Sequence, residues 1–277
     1  MITEQELVNF MNVESKEIGG WFFPADILSF YLLDGIQRSK NMAGSICEVG
    51  VWEAKSLTLL SKFLESGEIA FGYDLFPDDV EDKARKNLQK YGNYDQTTLI
   101  KSNTSDLTLE KIATDLSDGV RILHIDAGHD YHEVLHQMVL FTPFVKQGGI
   151  VIMDDYQDRE FPGIEAAVLD FAERDRPRRI VPFFAGGNKM YLCEQHYASI
   201  YQTALLQAEA LKDKSRISRV RDFNVLVGFS KLPVSAAACL SSIEKTNFPL
   251  GYDDDEQELA AKSARYQQYQ FGSGITK

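Results

Sequence analysis

The chain has few cysteines, and their number is odd. Its 277 residues include Cys47, Cys193 and Cys239, whose spacing fits no common metal motif. Disulfide frameworks belong mainly to secreted chains, and structural zinc sites use closely spaced cysteines or histidines. The sequence therefore predicts a protein of a reducing compartment whose chemistry does not depend on cysteine.

Positive charge and long apolar runs are also scarce. Lys and Arg number 29 against 41 Asp and Glu, so the formal net charge is −12. Such a field repels nucleic-acid phosphates and anionic lipid, and neither is an expected partner. No stretch approaches the roughly 18 apolar residues of a membrane span, and MITEQELVNF does not resemble a signal peptide. We therefore expect a cytoplasmic protein.

The chain does contain a regular alternation of short apolar runs with helical segments. The apolar runs are SICEVGV, EIAFGYDLF, TTLIKSN, RILHIDA, GGIVIMDDY, RIVPFFAG and NKMYLCE. Strands that are apolar on both faces and joined by helices form parallel sheets with right-handed crossovers, and the Gly-Gly-Asn between the last two runs favours a hairpin. The pattern predicts a doubly wound α/β fold with a mostly parallel seven-stranded sheet.

The segments outside this alternation are predicted to be additions to it. We expect three parts, which are an N-terminal helical cap over residues 1–44, a catalytic domain over 45–195 and a C-terminal α/β appendage over 196–277. The cluster Trp21-Phe22-Phe23 could cover a pocket or simply the core. The appendage contains the strand-like DFNVLVGFS and a helix after Asp253-Asp254-Asp255, because acidic residues favour a helix N-terminus. Either terminal segment could serve homo-oligomerisation.

The turn after the first predicted strand indicates the kind of ligand. It reads Glu48-Val49-Gly50-Val51-Trp52-Glu53-Ala54-Lys55-Ser56 and lacks the G-x-G-x-x-G spacing that cradles a pyrophosphate. Its two carboxylates suit a cationic ligand better than an anionic one. Glu48 fits an amino-acid ammonium group, Gly50 allows close backbone approach, and the helix N-terminus near Ser56 can receive a carboxylate.

Polar residues also end the next two predicted strands. Asp74 ends the second strand, where a carboxylate can accept hydrogen bonds from ribose hydroxyls. Ser102, Asn103 and Thr104 follow the third strand and offer polar groups near an adenine. One such residue alone is more often a turn residue, but their recurrence at successive strand ends predicts a nucleoside site.

Three carboxylates end the fourth and fifth predicted strands. Asp126 is followed 28 and 29 residues later by Asp154 and Asp155. On neighbouring parallel strands they would repel one another unless a cation neutralised them, and an all-oxygen set suits Mg²⁺. Capping of the following turns is the alternative role. His129 could act as a general base beside a metal-bound hydroxyl, or be a solvated loop histidine.

A rival motif lies in the same stretch. His132-Glu133-Val134-Leu135-His136 spells the H-E-x-x-H zinc motif of metalloproteases, with Glu160 or Glu165 as a conceivable third ligand. The motif begins a helix between two buried strands, and a peptidase leaves the pattern of strand-end acids unexplained. A zinc metallopeptidase is therefore the weaker hypothesis.

Several motifs together resemble a known family. CEVGVWEAKS, GYDLF, HIDAGHDYHEV and FVKQGGIVIMDDY followed by PGIEAAVLDF resemble class I S-adenosylmethionine-dependent methyltransferases. They look closest to the metal-dependent group that O-methylates sugars of macrolides and related natural products. The likeness covers about residues 45–195. It departs from the family where Gly128 replaces a frequent aspartate, Ala54 a glycine and Asn103 an aspartate.

The resemblance implies a Rossmann-like methyltransferase fold and a set of roles. Mg²⁺ or another divalent cation would be held by Asp126, Asp154 and Asp155, and His129 would be the general base. Glu48, Gly50 and Asp74 would contact S-adenosylmethionine. We therefore expect a metal-dependent O-methyltransferase of a small-molecule hydroxyl, on a sugar or glycosylated natural product. A catechol-type methyltransferase and a non-catalytic cofactor-binding protein are the alternatives.

Overall fold

One mixed β-sheet organises the chain in the computed structural model, which describes residues 2–174, 179–208, 210–211 and 215–228. Within these ranges the sheet has nine strands, β1 (Ser45–Val49), β2 (Ala70–Asp74), β3 (Thr97–Lys101), β4 (Val120–Ile125), β5 (Val145–Met153), β6 (Ile180–Gly186), β7 (Lys189–Glu194), β8 (Arg216–Val220) and β9 (Phe223–Gly228). Their order across the sheet is β3-β2-β1-β4-β5-β7-β6-β9-β8. The first five strands pair in parallel, and β7 is antiparallel to both β5 and β6.

Helices cover both faces of this sheet. The described α-helices are α1 (Glu4–Asn9), α2 (Ser15–Glu17), α3 (Pro24–Ser39), α4 (Lys55–Lys62), α5 (Val80–Tyr91), α6 (Leu109–Asp115), α7 (Tyr131–Phe141), α8 (Pro162–Arg174) and α9 (Gln195–Gln207). Val134 of α7 and Val168 of α8 pack into one core with Cys47 and Leu123 of the sheet. On the other face, Phe30 of α3 contacts His124 of β4. The doubly wound α/β prediction is therefore confirmed.

Local sequence explains where several helices begin. Thr3 and Glu6 form a reciprocal capping box at the start of α1, and Pro24 occupies the first turn of α3, where its missing N–H costs nothing. The Asp130 carboxylate accepts hydrogen bonds from the backbone of His132 and Glu133 and so caps α7. This cap fixes the direction of the chain between β4 and α7, where His129 lies.

The register of the parallel strands places the predicted site. Val49 of β1 pairs with Ile125 of β4, and Ile125 pairs with Met153 of β5. The next residues, Asp126 and Asp154, therefore leave the sheet side by side at its carboxyl edge.

The sheet is wider than the seven strands expected from the sequence. The predicted hairpin of β6 and β7 is present, but β9 then pairs in parallel with β6, and β8 pairs with β9. The run DFNVLVGFS was predicted as a strand, whereas the preceding RISRV was not. This segment lacks the apolar run of a buried strand, because β8 is an edge strand in which Arg216 and Arg219 are exposed. This part of the predicted appendage continues the central sheet.

The remaining C-terminal prediction cannot be compared with the structure. The helix expected after Asp253-Asp254-Asp255 lies outside the described residues. Within the described ranges, no helix has the length and apolar character needed to cross a bilayer.

Candidate functional site

A cavity of about 580 Å³ lies at the carboxyl edge of the sheet. Its walls come from the turn after β1, from the ends of β2, β4 and β5, from the β6–β7 turn and from the segment before α3. This is where open α/β sheets bind ligands. The cavity contains most of the residues that were singled out in the sequence, namely Gly50, Ser56, Asp74, Asp126, His129, Asp154 and Asp155.

The turn after β1 is held by a carboxylate. The backbone N–H groups of Val51 and Trp52 donate to Oδ2 of Asp74 at 2.7 and 2.8 Å, and that of Phe76 donates to Oδ1 at 2.6 Å. Gly50 has a φ of +91°, and a Cβ there would lie 2.0 Å from the carbonyl oxygen of Asp126. Only glycine fits this close approach. The turn therefore presents backbone to the cavity, as a cofactor requires.

Three predicted cofactor residues lie elsewhere. Glu48 is buried, with its Oε1 2.6 Å from Nδ1 of His124, because strand alternation directs it toward the α3 face. Asn103 is exposed, and its side chain accepts a hydrogen bond from Ser105 N–H. The hydroxyl of Thr104 accepts one from the Gln137 amide at 3.3 Å. None of the three is among the cavity-lining residues described.

The predicted catalytic histidine lies beside the acidic cluster. Nε2 of His129 is 3.3 Å from Oδ2 of Asp155, and its ring stacks on Phe161 at a centroid distance of 4.1 Å. The hydrogen bond to Asp155 outweighs partial burial and raises the pKa of His129. Asp155 is positioned in turn by the Asn188 amide, which donates to its Oδ1 at 2.9 Å. The imidazole is thus held at the cavity wall.

Two overlapping groups could hold a cation. One comprises Asp126, His129 and Asp155 and the other His124, Asp126 and Asp154, and within each the ligand atoms lie within 4.8 Å of one another. Burial and the charge of Asp154 raise the pKa of Asp126 well above its ordinary range, so a cation there would relieve a real electrostatic cost. The three predicted ligands do not form one group, because Asp154 belongs to one group, Asp155 to the other and Asp126 to both. Each group supplies two carboxylates, which are donors that a hard divalent cation prefers.

Asp154 already has partners of opposite charge within the protein. Its carboxylate is in contact with the ammonium of Lys189, which is 2% exposed, and Oδ2 lies 3.6 Å from Nε2 of His124. Burial alone would raise the pKa of Asp154, but Lys189 and His124 lower it. Burial would likewise lower the pKa of His124, yet its bonds to Asp154 and Glu48 raise it to about 9.

Sequence reasoning missed Lys189 and His124. Each is a basic residue within an otherwise apolar strand, in NKMYLCE and RILHIDA. A basic residue inside a buried strand needs an acidic partner, and that signal was available in the sequence.

The H-E-x-x-H histidines do not approach this site. His132 and His136 are exposed on α7. Among the residues that the structure describes, neither candidate metal group contains them. Nothing in their surroundings supports a zinc peptidase.

The N-terminal segment forms one wall of the cavity. The Gly19 N–H donates to Oε2 of Glu53 at 3.2 Å, and the Lys55 ammonium donates to the Gly20 carbonyl. Gly19, Gly20, Trp21 and Phe23 all line the cavity. The segment is thus attached to the turn after β1, and the aromatic cluster borders a pocket.

Comparison with known proteins agrees with this architecture. Residues 47–156 match the family model described as a methyltransferase domain. An "Uncharacterized protein" of Acanthamoeba polyphaga mimivirus is 28% identical over 144 residues, which cover 51% of this chain and 65% of that protein. The match thus spans less than two thirds of that relative.

Solved structures share the fold. The O-methyltransferase NovP superposes with a TM-score of 0.50 at 22% identity, over 61% of this chain and 80% of its own. An O-methyltransferase from Bacillus cereus in complex with SAH gives 0.50 at 17% identity, over 70% and 92%. The comparisons therefore show a methyltransferase domain match over residues 47–156 and a fold shared with solved O-methyltransferases.

Proposed function

We propose that this chain, which matches the methyltransferase domain model over residues 47–156, is an S-adenosylmethionine-dependent O-methyltransferase of a small molecule. One observation carries the proposal. The glycine turn after β1 and the acidic cluster with His129 border the same cavity. A methyl donor over Gly50 and an acceptor hydroxyl beside His129 would therefore share one enclosure, which is the proximity that a bimolecular transfer requires.

The donor side is assigned to the turn after β1. The backbone at Gly50 and the Ser56 region would receive the amino-acid end of S-adenosylmethionine, and Asp74 would accept hydrogen bonds from the ribose. We assign Glu48 no direct contact with the cofactor, because it does not line the cavity. Its carboxylate contacts His124 and would support the site through that residue. Asn103 and Thr104 could reach an adenine only after rearranging their present contacts.

The acceptor side is assigned to Asp126, Asp155 and His129. Asp126 and Asp155, with Asp154 behind them, would hold Mg²⁺ or another divalent cation. A bound cation of this kind lowers the pKa of a coordinated hydroxyl and fixes its direction. His129 would accept the hydroxyl proton at Nδ1, because its Nε2 faces the Asp155 carboxylate and its ring is stacked on Phe161. The acceptor is a hydroxyl of a sugar or of a glycosylated natural product, and natural product biosynthesis is the proposed context.

Calorimetric titration tests the two sides separately. We expect S-adenosylmethionine to bind the wild-type protein with and without Mg²⁺, and turnover to need the metal. Asp155→Ala should abolish turnover and weaken the binding of Mn²⁺, which serves as the divalent probe. The affinity for S-adenosylmethionine should stay nearly unchanged, since Asp155 lies at the metal end of the cavity.

Glu110→Gln is a suitable control, because it removes an exposed carboxylate of α6 outside the cavity lining. Full turnover in excess chelator would show that the reaction needs no divalent cation. If the protein does not bind S-adenosylmethionine, the proposed methyltransferase activity is excluded. A panel of sugar and catechol acceptors separates the sugar hypothesis from a catechol-type one.

A further inference from the structure

The cavity has an aromatic mouth that neither the donor side nor the metal cluster uses. Among the described residues, eight large hydrophobic side chains are exposed, and the aromatic ones are Trp21, Phe23 and Trp52, at 85%, 49% and 48% exposure. All three line this one cavity. The chain has two tryptophans, so both of them stand at its mouth. Exposed aromatic side chains gathered at a cavity are typical of ligand contact.

The backbone that carries Trp52 is held against the catalytic edge, and the segment with Trp21 lies next to it. Trp52 belongs to the turn that Asp74 holds, and its φ of +50° places a bulky residue in the left-handed region. Such a backbone conformation is unfavourable for a bulky residue and persists where the surroundings impose it. A Cβ on Gly20 would lie 3.4 Å from Cδ1 of Trp52, so the Trp21 segment approaches the Trp52 ring. We call Trp21, Phe23, Trp52 and Phe161 the aromatic rim; Phe161 is the residue that stacks on His129.

The rest of the lining is strongly acidic. The lining residues that the structure describes include one lysine, no arginine and six carboxylates, which are Asp74, Asp126, Asp154, Asp155, Asp158 and Glu160. Backbone amides satisfy Asp74, and Lys189 compensates Asp154. Asp126 and Asp155 face the proposed cation. Asp158 and Glu160 are left beside Phe161, and neither has a basic partner within salt-bridge distance among the described residues.

We propose that the acceptor is an uncharged or cationic ring compound that stacks on the aromatic rim, and that Asp158 and Glu160 exclude anionic acceptors such as sugar phosphates. The inference rests on the proposed function and narrows its substrate class. Aromatic faces carry partial negative charge, which attracts C–H groups and cations. An anion would meet two carboxylates at the mouth, of which Asp158 accepts a hydrogen bond from the Glu160 N–H and neither has an ion-pair partner among the described residues. Like charges brought together across an interface weaken binding.

A charge-matched series of sugars tests this inference. We would titrate methyl glucoside, methyl glucosaminide and methyl glucuronide, which are neutral, cationic and anionic, into protein saturated with S-adenosylhomocysteine and Mg²⁺. Tryptophan fluorescence reports on the mouth, because both tryptophans lie there, and calorimetry gives the affinities. The glucuronide should bind at least about tenfold more weakly than the glucoside, and the glucosaminide at least as tightly.

Two sets of variants separate stacking from charge. Trp21→Leu and Trp52→Leu should each weaken all three sugars by a similar factor, of about tenfold, while the exposed Leu109→Ala, outside the cavity, should change none. The double variant Asp158→Asn, Glu160→Gln should bring the glucuronide close to the glucoside. Glu110→Gln, an exposed carboxylate of α6, should preserve the difference.

The outcomes are distinguishable from failure of the proposed function. Loss of S-adenosylhomocysteine binding by the wild type would refute the methyltransferase itself. With that binding intact, a glucuronide affinity equal to or above that of the glucoside overturns the charge selection. Tryptophan variants that bind all sugars normally, or a wild type that binds none of them, overturn the stacking, since stacking needs no particular hydroxyl.

Discussion

Asp154 differs from the other strand-end carboxylates because its charge is met inside the protein. Lys189 and His124 contact it from the buried side, and the Lys189 ammonium also lies 4.0 Å from Oδ2 of Asp26 on α3. A metal ion would therefore compete with a resident ammonium for this carboxylate. Asp126 and Asp155, which lie on the cavity side, would carry most of the affinity for a cation.

Replacement of Lys189 tests this arrangement. Lys189→Met keeps the apolar stem but leaves Asp154 buried without its main counter-ion, and breaking a buried pair on one side typically costs about 3–5 kcal/mol. We expect the free energy of unfolding, measured by urea titration in chelator, to fall by about that amount. Mn²⁺ should stabilise the variant more than the wild type, because a cation can then replace the ammonium.

Lys83→Met is the matched control, because Lys83 is surface-exposed and forms ion pairs with Asp79 and Glu53; it should change the free energy of unfolding far less, since exposed ion pairs contribute little. Equal stability of Lys189→Met and wild type in chelator would show that Asp154 does not depend on Lys189.

His129 is the proposed general base of the reaction. His129→Ala should reduce kcat by roughly 10²–10⁴-fold, the usual contribution of a general base, with S-adenosylmethionine affinity unchanged. Single-turnover rates with the best acceptor measure the effect.

His132→Ala and His136→Ala serve as controls on the same loop and helix, and both should retain wild-type rates, since these side chains are exposed away from the cavity. A large loss in either control with none in His129→Ala would reverse the assignment.

At the scale of elements, ion pairs attach α3 to the sheet at the edge opposite the cavity. They thereby position the segment before α3, which forms one wall of the cavity. Arg121 of β4 is fully buried, and its guanidinium lies 2.8 Å from Asp34 of α3. Arg38 of α3 donates to Oε1 of Glu68 at 2.9 Å, just before β2. This buried ion cluster holds α3 against the sheet, and α3 in turn presents Asp26 to Lys189.

The ion cluster should make stability depend on acid pH. Burial would raise the pKa of Glu68, but hydrogen bonds from Arg38, Gly44 and Glu65 and the charge of Arg121 lower it from 4.5 to about 2. The stabilisation is therefore present above pH 4.5 and is lost as the pH falls toward 2. Its size at neutral pH is on the order of 3 kcal/mol.

Urea unfolding of Glu68→Gln measures this contribution. The difference from wild type should be largest at pH 7 and should shrink between pH 4.5 and 3. Glu110→Gln, an exposed carboxylate, should show little difference at any pH. A difference between Glu68→Gln and wild type that stays constant down to pH 3 would contradict the role of the Glu68 charge.

For the whole molecule, the net charge of −12 and the acidic cavity act in the same direction. Both oppose binding of polyanions, so the absence of a nucleic-acid partner remains a prediction on electrostatic grounds. A cytoplasmic location and self-association through the terminal segments remain predictions as well.

Gel-shift titration of duplex DNA and single-stranded RNA tests the electrostatic prediction. We expect no complex at micromolar protein even in low salt, where counter-ion release most favours binding. A shift that weakens steeply with added salt would show a basic surface that the overall charge conceals.

The sequence by itself determined the succession of seven strands along the chain, the hairpin and the strand-end positions of Asp74, Asp126, Asp154 and Asp155. These depend on local apolar runs and turn residues, whose consequences are set within a few residues. The convergence of the acids at one edge then follows from parallel pairing, which makes all carboxyl ends coincide.

Only the tertiary structure decided how the site is supported and enclosed. It turned Glu48 toward His124, placed Lys189 against Asp154 and attached the Gly19–Gly20 segment to the turn after β1. It also added β8 and β9 to the sheet. Each of these outcomes joins residues far apart in the chain. A local pattern can show that a strand residue is buried or that a buried base needs an acid, but it does not specify the partner.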